Sequence, residues 1–197
     1  MITLREDEAD DVLDFWFGAP GSAEHGSARR VWFAKDDAFD AEIGARFGAL
    51  IERALRGEIE GWAGAARPAL AQVIVLDQLT RNAFRGTPRA FAGDPRALAA
   101  ASRMVGLRQD EELPTFTRGF VYLPYEHAEG LAMQDEAVRL LARLAAADPA
   151  QQSMLDYAHR HREIIERFGR FPHRNAILGR QSTAEEIAFL QQPGSGF

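Results

Sequence analysis

Apolar side chains recur every three or four residues along most of this 197-residue chain. That is the spacing of one face of a helix, and no stretch alternates apolar and polar residues as a strand would. Thr3 and Glu6 form a capping-box pair ahead of the face Val12, Phe15, Trp16, predicting a first helix that ends near Gly18. Asp36 is placed to cap a second helix over 37–56, with Phe39, Ile43, Phe47, Leu50 and Leu55 as its apolar side and Gly57 as its stop. Gly61, Gly64 and Pro68 mark a loop carrying Trp62. A third helix is predicted over about 68–82, and its centre, Val73-Ile74-Val75-Leu76, is apolar on every side, as in a helix buried all round. A strand also fits that β-branched run, but the periodic flanks and the length favour helix.

Residues 84–93 read as a loop. Asp94-Pro95 is a cap followed by proline at the first helical position, opening a helix to about Val105 with Gly106 as stop. Leu113-Pro114 opens a short helix to Tyr122, which Pro124 is expected to break, and a long helix over 125–147 is expected to follow. Asp148-Pro149 repeats the cap-and-proline device for a helix over 150–168. Residues 169–180 read as irregular, Ser182 with Glu185 as the capping box of a last helix to Leu190, and 191–197 as a loose tail. The whole pattern predicts one compact all-α domain over 1–197, with seven to eight helices in antiparallel pairs. No internal repeat at a fixed period is present.

Composition narrows the function classes. With 46% apolar residues the chain is no disordered segment, and with no Cys it has no disulfide scaffold, Cys-ligated metal or thiol nucleophile. No metal site or other cofactor is expected. A net charge of −6 argues against nucleic acid or an anionic membrane as partner. No run approaches the ~18 apolar residues of a membrane span, and no signal-peptide core opens the chain, so a cytoplasmic location is expected. The charge is uneven, however. Residues 1–80 are net −7, residues 81–197 net +1, and 156–180 is net +3 with three of the five His. An anionic small ligand is therefore compatible with an acidic chain. All basic residues but Lys35 are arginine, whose planar fork suits bound anions and buried carboxylates.

The strong catalytic signatures are missing: there is no phosphate-binding Gly-rich loop, no H-E-x-x-H and no G-x-S-x-G. What remains are polar residues on faces that should be apolar. In the third helix Leu70, Val73/Ile74, Asp77 and Arg81 form one stripe, with Gln78 and Asn82 one step around. In the predicted 125–147 helix His127 shares a stripe with Leu131, Gln134, Val138 and Leu141, and Glu126 lies beside it. His161 lines up with Met154, Ala158, Ile165 and Phe168, whereas His159 falls with Glu163 and Glu166 on a solvated face. Two runs of Arg, His and Asn flank aromatic residues at helix exits: Arg81, Asn82 and Arg85 in the first, Arg170, His173, Arg174 and Asn175 in the second. Buried polar groups must meet partners. One reading is a closed structural network of ion pairs. The other is a pocket, with Asp77, Gln78, Arg81, Asn82, Arg85, His127, His161, His173, Arg174 and Asn175 as ligand-binding candidates.

The sequence is similar to the bacterial family known as domain of unknown function 924. The similarity rests on Val12-Leu-Asp-Phe-Trp-Phe-Gly18, on Trp32-Phe-Ala-Lys-Asp36 with Phe39-Asp40, and on Leu76-Asp-Gln-Leu-Thr-Arg-Asn-Ala-Phe-Arg-Gly-Thr87. It continues through Pro124-Tyr-Glu-His-Ala-Glu129 with Gln134, His161, Phe168-Gly-Arg-Phe-Pro-His-Arg-Asn175, Leu178-Gly-Arg-Gln-Ser-Thr183 and Pro193-Gly-Ser-Gly-Phe197. Ala128 stands where the family's Glu-His-Ser-Glu motif has Ser. The resemblance implies an all-helical fold of the tetratricopeptide-repeat-like superfamily, a right-handed helical stack, and assigns no activity and no catalytic residue. Three functions follow as expectations. The first is a pocket binding a small anionic molecule or peptide. The second is a hydrolase acting on an anionic metabolite, using His127 or His161 as general base with Glu126 or Asp77 as orienter, a metal variant of which would draw on Glu126, Glu129, His127 and His161. The third is a protein-interaction adaptor with a purely structural polar core.

Overall fold

The computed structural model describes residues 6–32 and 34–196. Thr3 of the expected first capping box lies outside them. Among the described residues eight helices and short 3₁₀ turns make up the fold, and there is no strand. Helix α1 is Glu6–Phe17 and α2 is Asp37–Leu55, the latter capped by Asp36 Oδ1, which accepts from the backbone N–H groups of Ala38 and Phe39. Helix α3 covers 66–83 and α4 is Asp94–Gly106. Then come α5, Thr115–Glu126, α6, Leu131–Ala147, α7, Gln152–Phe168, and α8, Ala184–Leu190.

The all-apolar centre of α3 places it in the middle. Val73, Ile74, Val75 and Leu79 are fully buried, and α3 packs against α1, α2, α4 and α5. Trp16, Phe17, Trp32 and Phe120 meet edge-on and stacked around the first helix, and α6 packs between α5 and α7. A smaller cluster of Ile164, Ile165 and Phe171, sealed by Phe168 and Phe189, seats the chain beyond α7 and α8.

Helix α3 is not uniform. Between the α-helical Ala66–Val73 and Thr80–Ala83 the stretch Ile74–Leu79 is π-helical, carrying one extra residue in the turn. The Thr80 hydroxyl donates to the Val75 carbonyl at 2.8 Å and closes part of the widened ladder. Gly93 meets this turn directly, since a Cβ added there would lie 2.0 Å from the Leu76 carbonyl oxygen. Close contact of two backbones brings the start of α4 up to the π turn.

Four expected boundaries differ. Pro124 does not end α5, which runs on to Glu126. The missing proline N–H removes only the bond to the residue four before it, and the His127 N–H still reaches the Leu123 carbonyl at 2.8 Å. The long 125–147 helix is correspondingly absent: a turn over 127–130 separates α5 from α6, pinned by the Gln134 amide donating to the carbonyls of Glu126 (2.6 Å) and Ala128 (2.8 Å). Asp94 does not cap α4, because Gly93 takes the cap position and the Asp94 carboxylate is used elsewhere. The last capping box is Thr183 with Glu186, one residue beyond Ser182 and Glu185. In the stretch that follows α8, Ser195 is buried and donates to the Leu190 carbonyl.

Candidate functional site

A cavity of about 480 Å³ opens where the exit of α3, the end of α5, α7 and the 171–180 loop meet. The end of α3 contributes Gln78, Arg81 and Asn82 to its wall, and the turn after it Arg85. The end of α5 contributes Glu126 and His127, α7 contributes His161, and the loop contributes His173 and Arg174. These nine were all expected from the sequence. Asp77 stands behind the wall, wholly buried, and acts on the cavity through its partners. Asn175 is not in the cavity: its amide donates to Ser182 Oγ and Glu186, its Oδ1 accepts from Arg180, and it ties the loop to α8. Arg170 likewise serves Glu186, at 2.6 Å. Glu129 turns away to Arg180 and the Phe171 N–H, so the four acids and imidazoles of a metal variant do not converge. Among the described residues no group of His, Asp and Glu is arranged to hold a metal ion.

Asp77 organises one side. Its Oδ1 accepts from His127 Nδ1 at 2.7 Å and from Arg81 Nε at 3.3 Å, and its Oδ2 from Gln78 at 2.6 Å. Burial alone would raise this carboxyl, but His127, Arg81 and the Gln78 amide outweigh it and hold it well below the usual carboxylate range. Burial, reinforced by the Arg81 charge, pushes His127 down despite Asp77. The imidazole is therefore neutral at pH 7, with Nδ1–H held by an ionised Asp77 and the Nε2 lone pair available. Glu126 and His161 form a second contact between a buried carboxyl group and an imidazole. Glu126 Oε1 lies 2.8 Å from His161 Nδ1, which also faces the Tyr157 carbonyl at 3.0 Å. The two imidazole rings are 6.3 Å apart, centroid to centroid.

The cationic side is Arg81 and Arg174. Both reach a single carboxylate: Arg81 Nη2 lies 2.7 Å from Asp94 Oδ1, and Arg174 Nη1 lies 3.3 Å from Asp94 Oδ2. Arg174 is nearly buried, donates to the His127 carbonyl, and is held between the rings of Phe91 (4.7 Å) and Phe171 (4.6 Å). Burial and the nearby Arg81 charge push its guanidinium down to about 10. Arg85 at the rim is paired with Asp40.

His173 is pushed down to about 3 by burial and by the Arg174 charge. A depressed imidazole contributes stability that is present above its ordinary value near 6.5 and is lost as pH falls below it. Thermal melts are expected to show up to about 3 kcal/mol lost between pH 6.5 and 4 on account of His173. A His173→Gln variant should have a flatter profile over that window. A variant curve parallel to the wild type would remove His173 as the cause.

Sequence reasoning missed Asp94, which its Asp-Pro context marked as a cap. It also missed Phe91, which lies on a loop with no periodicity. Tyr157 and Ser153 were within reach, lying one and two turns before His161 on the same face of α7. Ala128, at the departure from the expected motif, does not line the cavity.

Comparison with known proteins follows the same outline. The family described as bacterial protein of unknown function (DUF924) matches residues 12–194. The solved structure of ATU0120 from Agrobacterium tumefaciens, a protein of unknown function, superimposes with a TM-score of 0.83 at 39% identity, covering 94% of this chain and 97% of that one. No curated protein matches. No helix among the described residues is long and apolar enough to cross a membrane.

Proposed function

The chain belongs to the bacterial DUF924 family, and for this member we propose a binding site for a small anionic molecule, seated between Arg81 and Arg174. The observation that carries this reading is the sharing of Asp94. Two guanidiniums, close enough for the charge of one to lower the pKa of the other, share Asp94, and Arg81 also reaches Asp77 from behind the wall. A bound carboxylate or phosphate adds negative charge on the cavity side of the two cations, and their planar forks donate to it bidentately. Phe91 and Phe171 hold Arg174 in one orientation beforehand, so little side-chain entropy is lost on binding. The volume is that of a small-molecule pocket rather than a peptide groove. The adaptor reading needs recognition groups on an outer concave face, whereas these groups turn inward.

The test is a melting-temperature series with inorganic phosphate, phosphomonoesters and small dicarboxylates. A ligand at about 100 times its Kd adds about 2.7 kcal/mol, or roughly 5–10 °C for a chain of this size. Arg174→Lys, which keeps the charge but loses the fork, should abolish most of that shift. Silence across the panel, or an unchanged shift in Arg174→Lys, would overturn the reading. The Asp77–His127 pair favours a second reading, in which the bound anion is also a substrate and His127 is the general base.

A further inference from the structure

We infer that His127 and His161 act together, as base and acid, in the hydrolysis of a small phosphoester whose phosphoryl oxygens lie on Arg81 and Arg174. This inference rests on the anion-site reading above and goes beyond it in naming a reaction and a second proton-transfer group.

Both rings are held through Nδ1. His127 Nδ1 is committed to Asp77 at 2.7 Å, and His161 Nδ1 to Glu126 at 2.8 Å and to the Tyr157 carbonyl at 3.0 Å. Each imidazole thus has its own buried carboxylate as orienter and exchanges its proton at Nε2. One such pair serves as structural glue or as a lone base. Two pairs on one cavity wall, with rings 6.3 Å apart and carried by different elements, match a reaction with proton transfers at two separate oxygens. Displacement at phosphorus has that form, because the attacking and leaving oxygens lie roughly in line on opposite sides of the phosphorus. Acyl transfer is a poorer match. The chain has no Cys. Ser153, which also lines the cavity, sits two turns before His161, about 12 Å along the helix axis.

The step balances within the site. A water oxygen attacks phosphorus and gives its proton to His127 Nε2. The bond from phosphorus to the ester oxygen breaks, its electron pair stays on that oxygen, and His161 Nε2 supplies the proton that makes it an alcohol. Charge on the remaining phosphoryl oxygens is met by Arg81 and Arg174, which share Asp94 at rest. Glu126 balances the charge of His161 while the ring carries the extra proton. The two imidazoles end with protons exchanged and return to the starting state through solvent.

The test uses the full chain and two substrates that differ only in leaving group, a 4-nitrophenyl phosphoester and an alkyl phosphoester, each as monoester and diester. Wild type should turn over at least one of these pairs. His127→Gln should lose about 100-fold or more on both leaving groups, because it removes the base. His161→Gln should lose about 100-fold or more on the alkyl ester and much less on the nitrophenyl ester, whose leaving group needs no proton. Both variants should keep the melting-temperature shift with inorganic phosphate, which shows that the fold and the anion site survive. A phosphate shift with no wild-type turnover overturns the catalytic inference and leaves the anion site standing. Absence of both overturns the two together. Equal losses on the two leaving groups in His161→Gln overturn its role as acid.

Discussion

Gly93→Ala is expected to lower the melting temperature by about 10 °C. The added Cβ would lie 2.0 Å from the Leu76 carbonyl oxygen, 2.9 Å from its carbon and 3.2 Å from its Cα. These are backbone atoms of a buried π turn, so no side-chain rotation relieves the contact. Gly93 has φ −83°, an ordinary value for alanine, so the whole effect is steric. Overpacking of this kind costs about 3 kcal/mol, and at roughly 2–4 °C per kcal/mol for a chain of this size the shift follows. The next residue is Asp94, so displacing the start of α4 also separates Asp94 from Arg81 and Arg174 and should weaken phosphate binding. Gly44→Ala is the control. It lies inside α2, its Cβ meets nothing within 4 Å, and replacing a mid-helix glycine should leave stability unchanged or raise it by up to about 1 kcal/mol. Circular dichroism melts of the two variants decide the matter. A Gly93→Ala protein melting within 2 °C of wild type would show that the two backbones do not meet closely.

Periodicity made the helices legible because each buries one face, and α3 was readable as central because Val73 to Leu76 leave it no polar side. Caps were less legible, for a physical reason. Asp94 satisfies the pattern of a cap, yet Gly93 takes the cap position and the Asp94 carboxylate turns to Arg81 and Arg174. Pro124 has the pattern of a stop, but near a helix end it removes only one bond. The π turn leaves no local mark in the sequence, and neither does the close approach of Gly93 to Leu76 that accompanies it. The site was legible wherever a polar residue interrupted an apolar stripe, as Asp77, Arg81 and His161 do. His127 owes its position to no helical stripe: it reaches the cavity from the turn that follows α5. Asn175 was polar and buried for another reason, to join the 171–180 loop to α8.

Asp77→Asn should be the more damaging change at the site. The side chain is wholly buried and its two oxygens accept from His127, Arg81 and Gln78. Asparagine keeps the shape but offers one acceptor and one donor. If its oxygen faces His127, its NH₂ faces the Gln78 amide, and two donors oppose each other inside the core. Removing one partner of a buried charge cluster costs about 3–5 kcal/mol, and Arg81 retains only Asp94. The pH dependence separates this from a mere loss of packing. Asp77 is held below the ordinary carboxylate range, so its contribution is full above about pH 4 and is lost as pH falls below that. Burial of neutral His127 and His173 acts in a different window, beginning below about pH 6.5. Melts from pH 3 to 8 should therefore show wild type and Asp77→Asn converging only below about pH 4. Curves that stay parallel there would mean that the Asp77 charge does not hold the site. On a phosphoester that wild type hydrolyses, the variant should lose roughly 100- to 10,000-fold in turnover, because His127 no longer has an anion fixing its proton on Nδ1. Loss of stability at pH 7 with turnover intact would make Asp77 a structural anchor and leave His127 without its orienter.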